Sequence, residues 1–409
     1  MKPIIRFRQY TKEWCPFKLN TILTSSNEKN TKGLYTKNDV LSVSGEVGIV
    51  NQIAFQGRSF AGASVLNYGV VHTNDIVYTK SPLRSNPYGI IKTNNGPSGI
   101  VSTLYAIYNC CEESCPQFVE TYFTSSSRTN NYLRPLVRKG AKNDMKVSSE
   151  GALLGNVIFP CKDEQIEISS YFRTLDTKLQ ASAKKVESLK KLKSASLVAM
   201  FPQNGESTPK VRFKGFEGEW RRIKFSTISS RVTRRNDMLE CELPLTISAN
   251  EGLISQEKFF NNIVASSNLG NYYLLKRGEF AYNKSYSNGY PFGAIKRLDK
   301  YDSGVLSPLY ICFSLDDKVD SNYICSFFET TLWHKDIAER ATEGARNHGI
   351  LNIGTEDFFD IDITIPETKE EQQAIASFFR SLDRKIALET ARLEKLKQIK
   401  LACLDKMFV

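Results

Sequence analysis

Residues 164–201 read EQIEISSYFRTLDTKLQASAKKVESLKKLKSASLVAMF, and residues 371–408 read EQQAIASFFRSLDRKIALETARLEKLKQIKLACLDKMF. The second stretch repeats the first at a constant offset of 207 residues, with no insertion or deletion. Each stretch follows a proline, Pro160 or Pro366, and acidic residues surround its first position. Acidic side chains are favourable at the N-terminus of a helix dipole. We therefore predict that a long helix begins after each proline.

Apolar residues recur along both stretches with successive spacings of four, seven and three residues, as expected of a heptad seam. The seam positions are Leu175, Leu179, Val186 and Leu189, and then Leu382, Ile386, Leu393 and Leu396. A helix of about 38 residues is roughly 57 Å long, more than one small domain can bury. Each helix therefore needs a partner. We predict that the two helices form an antiparallel coiled coil with pseudo-two-fold symmetry and act as a rigid spacer.

The residues before each long helix also repeat, at offsets of 204 to 207. Tyr78-Thr79-Lys80-Ser81 returns as Tyr282-Asn283-Lys284-Ser285, and Gly140-Ala141-Lys142-Asn143 returns as Gly344-Ala345-Arg346-Asn347. Segments such as 75–78 and 309–313 are short, rich in β-branched and aromatic residues, and bounded by turn-forming residues. They predict strands, and residues 322–340 predict a helix. The predicted fold class is α+β, with two β-rich domains each followed by a long helix.

These patterns divide the chain into five predicted parts. Residues 202–211 contain two prolines and a glycine, which cannot continue a helix, so they form the linker between the repeats. The predicted parts are a first β-rich domain at 1–160, a first spacer helix at 161–201, the linker at 202–211, a second β-rich domain at 212–366 and a second spacer helix at 367–409.

The composition is that of a globular protein, with 41% hydrophobic and 24% charged residues. No apolar run is long enough to cross a bilayer, and the first residues are too polar for a signal peptide. Nine cysteines without regular spacing indicate reduced thiols and no metal site. We therefore expect a cytoplasmic protein.

The charge of the chain is suited to a polyanionic partner. The net charge is +11, and residues 1–160 hold 18 Lys and Arg against 10 Asp and Glu. Residues 202–366 hold 20 against 22, so the first repeat carries most of the excess. Basic proteins often bind nucleic acid, although charge alone does not establish it.

This organisation resembles the specificity subunit of Type I restriction-modification systems over nearly the whole chain. The resemblance rests on Ile365-Pro366, Glu371-Gln372, Phe379 and Leu382-Asp383, on their counterparts Phe159-Pro160, Glu164-Gln165, Phe172 and Leu175-Asp176, and on the Phe-Trp bracketed openings of both domains. It implies a non-catalytic reader of DNA. Each domain would read one half of a split site. The paired helices would set the gap and dock two methyltransferase subunits, together with two restriction or translocase subunits.

Residues that suit contacts to phosphates and base edges recur on loops of both repeats. The candidate DNA-binding residues are Tyr78, Lys80, Ser81, Arg84, Asn86, Tyr88, Lys92, Lys142 and Asn143 in the first repeat, and Tyr282, Lys284, Ser285, Tyr286, Asn288, Lys296, Arg346, Asn347 and His348 in the second. Lys92, Lys296 and the run Arg231, Arg234, Arg235 are the candidates for phosphate contacts. For any one of these residues, a place in the core or on an ordinary solvated surface is the alternative.

Motifs for catalysis are missing from the sequence. It has no phosphate-binding GxxxxGK[ST] loop, no GxSxG elbow and no Asn-Pro-Pro-aromatic motif of adenine methyltransferases. We expect no cofactor in this chain, and S-adenosylmethionine, ATP and Mg in partner subunits. Two alternatives stay open. One is a nuclease using the acidic run Glu356, Asp357, Asp360 and Asp362, and the other is a scaffold whose two lobes bind proteins.

Overall fold

The computed structural model describes residues 1–83, 85–139, 145–203, 205–248, 251–262, 265, 268–286, 289–341 and 351–409. The chain divides into two compact units. Unit 1 comprises Met1–Ala183 and Ala391–Val409, and unit 2 comprises Lys184–Thr390. Each unit therefore contains one β-rich domain, the start of the helix that follows this domain, and the end of the other long helix.

Unit 1 is built mainly from short strands. They are β1 (Cys15–Lys18), β2 (Leu23–Ser25), β3 (Leu41–Ser44), β4 (Gly48–Asn51), β5 (Gly69–Val71), β6 (Ile76–Thr79), β7 (Ile91–Thr93), β8 (Gly99–Val101), β9 (Tyr105–Cys110), β10 (Arg138–Lys139), β11 (Met145–Lys146) and β12 (Asn156–Phe159). Three short helices interrupt them: α1 (Gln52–Gln56), α2 (Pro116–Tyr122) and α3 (Ser126–Leu133). The first long helix, α4, spans Lys162–Ala199.

Unit 2 follows the same plan. Its strands are β13 (Arg221–Lys224), β14 (Ser229–Arg231), β15 (Leu245–Ser248), β16 (Gly252–Ser255), β17 (Tyr273–Lys276), β18 (Phe280–Asn283), β19 (Ala294–Arg297), β20 (Ser303–Leu306), β21 (Ile311–Leu315) and β22 (Asp362–Ile365). Its helices are α5 (Gln256–Phe260), α6 (Ser321–Phe327), α7 (His334–Arg340) and α8 (Thr355–Phe359), and the second long helix, α9, spans Lys369–Lys406.

The sheets of the two units have the same order. A four-stranded antiparallel sheet runs β2-β9-β6-β7 in unit 1 and β14-β21-β18-β19 in unit 2. In both units the strand before the long helix pairs with the first strand of the domain, as β1-β12 and β13-β22. The central strand β6 is buried along its whole length, and three of the four residues of its counterpart β18 are buried.

The long helices begin close to the predicted prolines, and each is 38 residues long. Within unit 1, Lys400 of α9 pairs with Asp176 of α4, and the Tyr171 hydroxyl lies 3.4 Å from the Cys403 thiol. Within unit 2, Lys193 pairs with Asp383, and Lys185 pairs with Glu389 at 3.1 Å. In both units, contact residues with higher numbers in α4 lie opposite residues with lower numbers in α9. The helix segments in each unit are therefore antiparallel. None of the eight predicted seam side chains is exposed.

The Glu-Gln pair at the start of each long helix is buried and holds the domain to the helix. Glu164 receives a bidentate ion pair from Arg6, with N···O distances of 2.7 Å, and Gln165 accepts hydrogen bonds from the Ser114 hydroxyl and the Cys115 backbone. In unit 2, Arg212 pairs with Glu371 in the same way, and Gln372 accepts from the Asp320 backbone. The repeated Glu-Gln motif therefore has a structural role, which is to attach each domain to its long helix.

One predicted element differs from the structure. Residues 322–340 form two helices, α6 and α7, instead of one. After α6, the Thr330 hydroxyl donates to the Phe327 carbonyl, and the Trp333 indole N–H donates to the Phe328 carbonyl. These bonds stabilise a turn at residues 328–333. The helical spacing of the apolar residues does not reveal it, because both helices face one core.

In the ranges given above, no helix is long and apolar enough to span a bilayer.

Candidate nucleic-acid interface

A matching hairpin occurs in each unit at the edge of the four-stranded sheet. Hairpin A, residues 80–90, joins β6 to β7, and hairpin B, residues 284–293, joins β18 to β19. Most of the candidate DNA-binding residues lie on these two hairpins or in the strands beside them. Arg84 and Asn288 belong to the hairpins but lie outside the described residues.

Tyr78 and Tyr282 occupy the strand positions just before the hairpins, and both are completely buried. The Tyr78 hydroxyl donates to the Tyr88 carbonyl at 2.7 Å, and the Tyr282 hydroxyl donates to the Phe292 carbonyl at the same distance. Burial raises the pKa of both phenols. Each tyrosine closes its own hairpin. A direct DNA contact by either side chain would require the hairpin to open.

A glycine at the far end of each hairpin packs against the same tyrosine. Gly89 has φ +89° and Gly293 has φ +79°, a region that L side chains rarely adopt. A Cβ atom on Gly89 would lie 1.9 Å from the Thr79 carbonyl oxygen, and one on Gly293 would lie 2.0 Å from that of Asn283. Both hairpins therefore return to the sheet in a way that only glycine permits.

Lys80 and Lys284 are half-buried cations that follow these tyrosines by two residues. The Lys80 ammonium lies 3.4 Å from the Ser149 hydroxyl, and the Lys284 ammonium lies 3.4 Å from the Ile353 carbonyl oxygen. Burial lowers the pKa of both lysines, although Glu150 opposes the shift at Lys80. Within the described residues, neither ammonium has an ion pair with a carboxylate.

The tips of the hairpins carry polar and aromatic side chains. Tyr286 is 61% exposed, and Ser81, Asn86, Tyr88 and Ser285 are half-buried. The Asn86 carbonyl accepts from the Gly89 backbone N–H, which forms the turn. These side chains remain candidates for contact with a DNA duplex.

The second predicted loop lies outside the described residues, with Lys142, Asn143, Arg346, Asn347 and His348. The segments after it contact the hairpins. Leu351 donates its backbone N–H to the Lys284 carbonyl at 2.9 Å. The Ser149 hydroxyl accepts from the Lys80 ammonium, and the Ser149 carbonyl accepts from the Tyr108 hydroxyl. In each unit, the chain that leaves the second loop is therefore fixed to the base of the hairpin.

The residues predicted to contact phosphates have mixed environments. Lys92 is 9% exposed and forms an ion pair with Glu120 at 3.3 Å, so its charge is neutralised within the domain. Lys296 is half-buried on β19. In unit 2, the Arg234 Nη2 group donates to both carboxylate oxygens of Glu279, Arg231 donates to the Tyr273 hydroxyl, and Arg235 stacks on the Tyr273 ring. These contacts leave Lys296 and Arg231 as the better candidates among the five.

Two of the four carboxylates in the acidic run considered for a nuclease form ion pairs with cations. Asp360 pairs with Lys224 and Arg340, and Asp362 pairs with Lys224 and Arg222. These neighbours lower the pKa of the Asp360 carboxyl. Over the described ranges, no cluster of three His, Cys, Asp or Glu side chains could hold a metal ion.

One matching pair of exposed aromatic residues was not predicted from the sequence. Phe55 on α1 is 49% exposed and Phe259 on α5 is 46% exposed. Both helices follow a two-stranded hairpin and end at a residue with positive φ, Gly57 or Asn261. The offset of 204 already aligns Gln52 with Gln256 and Phe55 with Phe259, so the repeat contained the signal.

Comparisons with known proteins identify the family that this chain resembles. Residues 254–398 match the model of the Type I restriction modification DNA specificity domain. Over the full chain, the fold is similar to the S subunit of a Type I restriction-modification system from M. genitalium, with a TM-score of 0.59, 14% identity, and coverage of 100% of this chain and 99% of that one.

A second solved structure, the HsdS subunit from Thermoanaerobacter tengcongensis, is 15% identical, with a TM-score of 0.47 and coverage of 97% of this chain and 96% of that one. A search among curated proteins finds no match. The resemblance inferred from the sequence and the predicted α+β class are confirmed by the domain match and by the first of these folds.

Proposed function

We propose, from its likeness to Type I restriction-modification specificity subunits, that this chain reads a bipartite DNA site and catalyses no reaction itself. Each β-rich domain reads one half of the site, and the two long helices hold the domains apart. The observation that carries the proposal is the matched pair of hairpins, on a chain that also contains a Type I DNA specificity domain. Each hairpin holds a cation and polar side chains in the same arrangement.

The partners follow from the same proposal. Two methyltransferase subunits dock on the helical parts, and two restriction or translocase subunits complete the assembly. S-adenosylmethionine, ATP and Mg bind to those partners. The exposed leucines of the long helices, such as Leu388 at 63%, offer apolar surface for this docking.

The first experiment separates reading from catalysis. The purified chain, free of partners, is incubated with DNA and S-adenosylmethionine, and then with DNA and Mg. We expect neither methylation nor cleavage, and we expect methylation once a methyltransferase partner is added. Methyl transfer by the chain alone would refute the non-catalytic role, and Mg-dependent cleavage would favour the nuclease. The pairing of Asp360 and Asp362 with cations speaks against that outcome.

The second experiment maps the target. Methylated bases are located in host DNA that contains the complex, and we expect a split sequence. If one rigid spacer presents both domains to the same face of the duplex, the half-sites lie about 10 base pairs apart, centre to centre. A continuous target would contradict the two-reader proposal. Duplex binding that is absent, or that does not respond to salt, would favour a protein scaffold.

A further inference from the structure

We propose that Lys80 and Lys284 each bind one backbone phosphate of a DNA half-site. The buried hydroxyls of Tyr78 and Tyr282 act as latches: each holds its hairpin closed and so positions the lysine of that hairpin. This inference rests on the proposed function and deepens it. It assigns the two lysines to the sugar-phosphate backbone instead of the bases. It also assigns the tyrosines to positioning instead of contact.

The environment of the two ammonium groups favours an anion. Each is half-buried and lies beside a neutral oxygen, the Ser149 hydroxyl or the Ile353 carbonyl. Removing a cation from water is costly unless an opposite charge compensates it. No carboxylate in the described part of either domain forms an ion pair with it, although the charge of Glu150 acts on Lys80 from a greater distance. Lys92, in contrast, is neutralised by Glu120 at 3.3 Å. A DNA phosphate would provide the missing charge.

The reach of the two lysines also favours phosphate. Base reading requires a side chain that extends into a groove and presents several donors or acceptors to one base edge. Lys80 and Lys284 lie at the base of their hairpins, and their ammonium groups are already held against the segment at Ser149 or Ile353. An ammonium is a point charge, which suits one phosphate and carries no sequence information.

The tyrosine latch fixes the place of each lysine. Its hydroxyl binds the carbonyl of Tyr88 or Phe292, at the returning end of the hairpin. The two ends of the hairpin are therefore held together, and the glycine beside the ring allows this close return. Because the arrangement recurs in both units, while much of the hairpin sequence differs, the shared parts are the ones that the arrangement requires.

The test uses the full chain in complex with its methyltransferase and a duplex that carries the mapped target. Affinity is measured over a range of salt concentrations for wild type, Lys284→Met and Lys80→Met. Methionine keeps the apolar stem and removes the charge. We expect the log–log salt slope to fall by about 0.9 for each substitution, the value for one phosphate contact. Specific and unrelated duplexes should weaken by the same factor.

Lys92→Met serves as the matched control, because this lysine is already paired within the domain. We expect its salt slope to equal that of wild type. A second readout places the contact: single phosphates of the duplex are replaced by neutral methylphosphonates. One replacement in the second half-site should weaken wild type and leave Lys284→Met unaffected, and one in the first half-site should do the same for Lys80→Met.

A double-mutant cycle tests the latch. Tyr282→Phe removes one hydroxyl, and we expect a salt slope between those of wild type and Lys284→Met. In the Lys284→Met background, the same change should have no further effect on the slope. In the Lys80→Met background, Tyr282→Phe should lower the salt slope by as much as it does in wild type, because the two residues lie in different units. A purely structural role for Tyr282 would lower the melting temperature without moving the salt slope.

Two results would overturn the inference. One is a wild-type salt slope in both lysine variants, and the other is a loss of affinity restricted to one base pair, which would indicate base reading. If methylation mapping still gives a split target in either case, the proposed function stands and only the assignment of the lysines fails. If no variant binds duplex and wild type does not bind it either, both fail.

Discussion

At the residue scale, two buried Arg-Glu pairs hold each β-rich domain to its long helix. Glu371 is 2% exposed and Glu164 is fully buried, so each carboxylate depends on its arginine, Arg212 or Arg6. These pairs also raise the pKa of both arginines, mainly through the hydrogen bond to the glutamate.

We predict that Arg212→Ala destabilises unit 2 by about 3 kcal/mol, the lower end of the cost of removing one partner from a buried pair. Chemical denaturation of wild type and variant measures the difference. Arg212→Ala with Glu371→Leu should recover part of the loss, because no unpaired charge is left buried. The control is Lys191→Ala, which breaks a solvent-exposed pair with Glu187 and should leave stability unchanged. Equal stability of the arginine variant and wild type would show that the pair is not needed.

Arg346 lies outside the described residues, and its DNA contact stays a prediction. If its guanidinium reads a guanine edge, Arg346→Ala costs about 1–3 kcal/mol at one or two base pairs of the second half-site. Methylation mapping of the variant should show relaxed specificity in that half only. Loss spread over both halves would contradict independent reading by the two domains.

The sequence did not reveal the surroundings of three residues that it predicted to contact DNA. Tyr78 and Tyr282 were predicted to contact DNA, yet both are core residues with bonded hydroxyls. A tyrosine can serve either purpose, and one sequence does not distinguish them. Lys92 was predicted to meet phosphate, and its pairing with Glu120 joins residues 28 positions apart, which no local pattern reveals.

At the scale of elements, the long helices were predictable because a heptad repeat leaves a strong signal. Both extend over 38 residues, as expected from the sequence. Two seam positions were not predicted because they are polar. Ser182 is 4% exposed and lies between the seam residues Leu179 and Val186, and Glu389 is 8% exposed and lies in the matching place of the second helix. The boundary between α6 and α7 was missed for a related reason, since a turn stabilised by side chains leaves the apolar spacing intact.

We predict that Leu189→Asp or Leu396→Asp weakens the packing of the long helices and the binding of the methyltransferase. Both leucines are half-buried seam residues, and burying an unpaired charge costs several kcal/mol. Melting temperature and co-purification with the methyltransferase measure the effect. Leu388→Asp is the control for the melting temperature, because this leucine lies on the same helix and its side chain is 63% exposed. If Leu396→Asp melts and assembles like wild type, the seam assignment is wrong.

At the scale of the whole molecule, the end of a long helix completes the core of each unit, and in unit 1 this end comes from a distant stretch of the chain. The unit 1 core includes Cys403, Met407 and Phe408 beside Trp14 and Phe118. The Phe408 ring lies 5.7 Å from Phe118, 6.0 Å from Phe172 and 6.2 Å from Trp14, centroid to centroid. Phe201 fills the matching place in unit 2, against Trp220, Tyr323 and Phe379.

We predict that Phe408→Ala destabilises unit 1 by about 3–5 kcal/mol, the usual cost of deleting a buried phenylalanine side chain. Hydrogen exchange should show the loss in unit 1 first, with unit 2 protected. Phe201→Ala should produce the reverse pattern. Uniform loss of protection over both units in each variant would show that the units unfold as one.

Phe408 also sets the order in which the chain can fold during synthesis. The ribosome delivers unit 2, residues 184–390, as one continuous stretch, whereas unit 1 lacks residues 391–409 until these have been synthesised after unit 2. The first domain to emerge is therefore the last that can close its core. Because the core of unit 1 depends on contacts between residues far apart in sequence, we expect unit 1 to fold more slowly than unit 2. Until its core closes, its apolar surface is exposed to chaperones. A chain arrested by a premature stop codon near residue 390 should contain a folded second domain and a protease-sensitive first one.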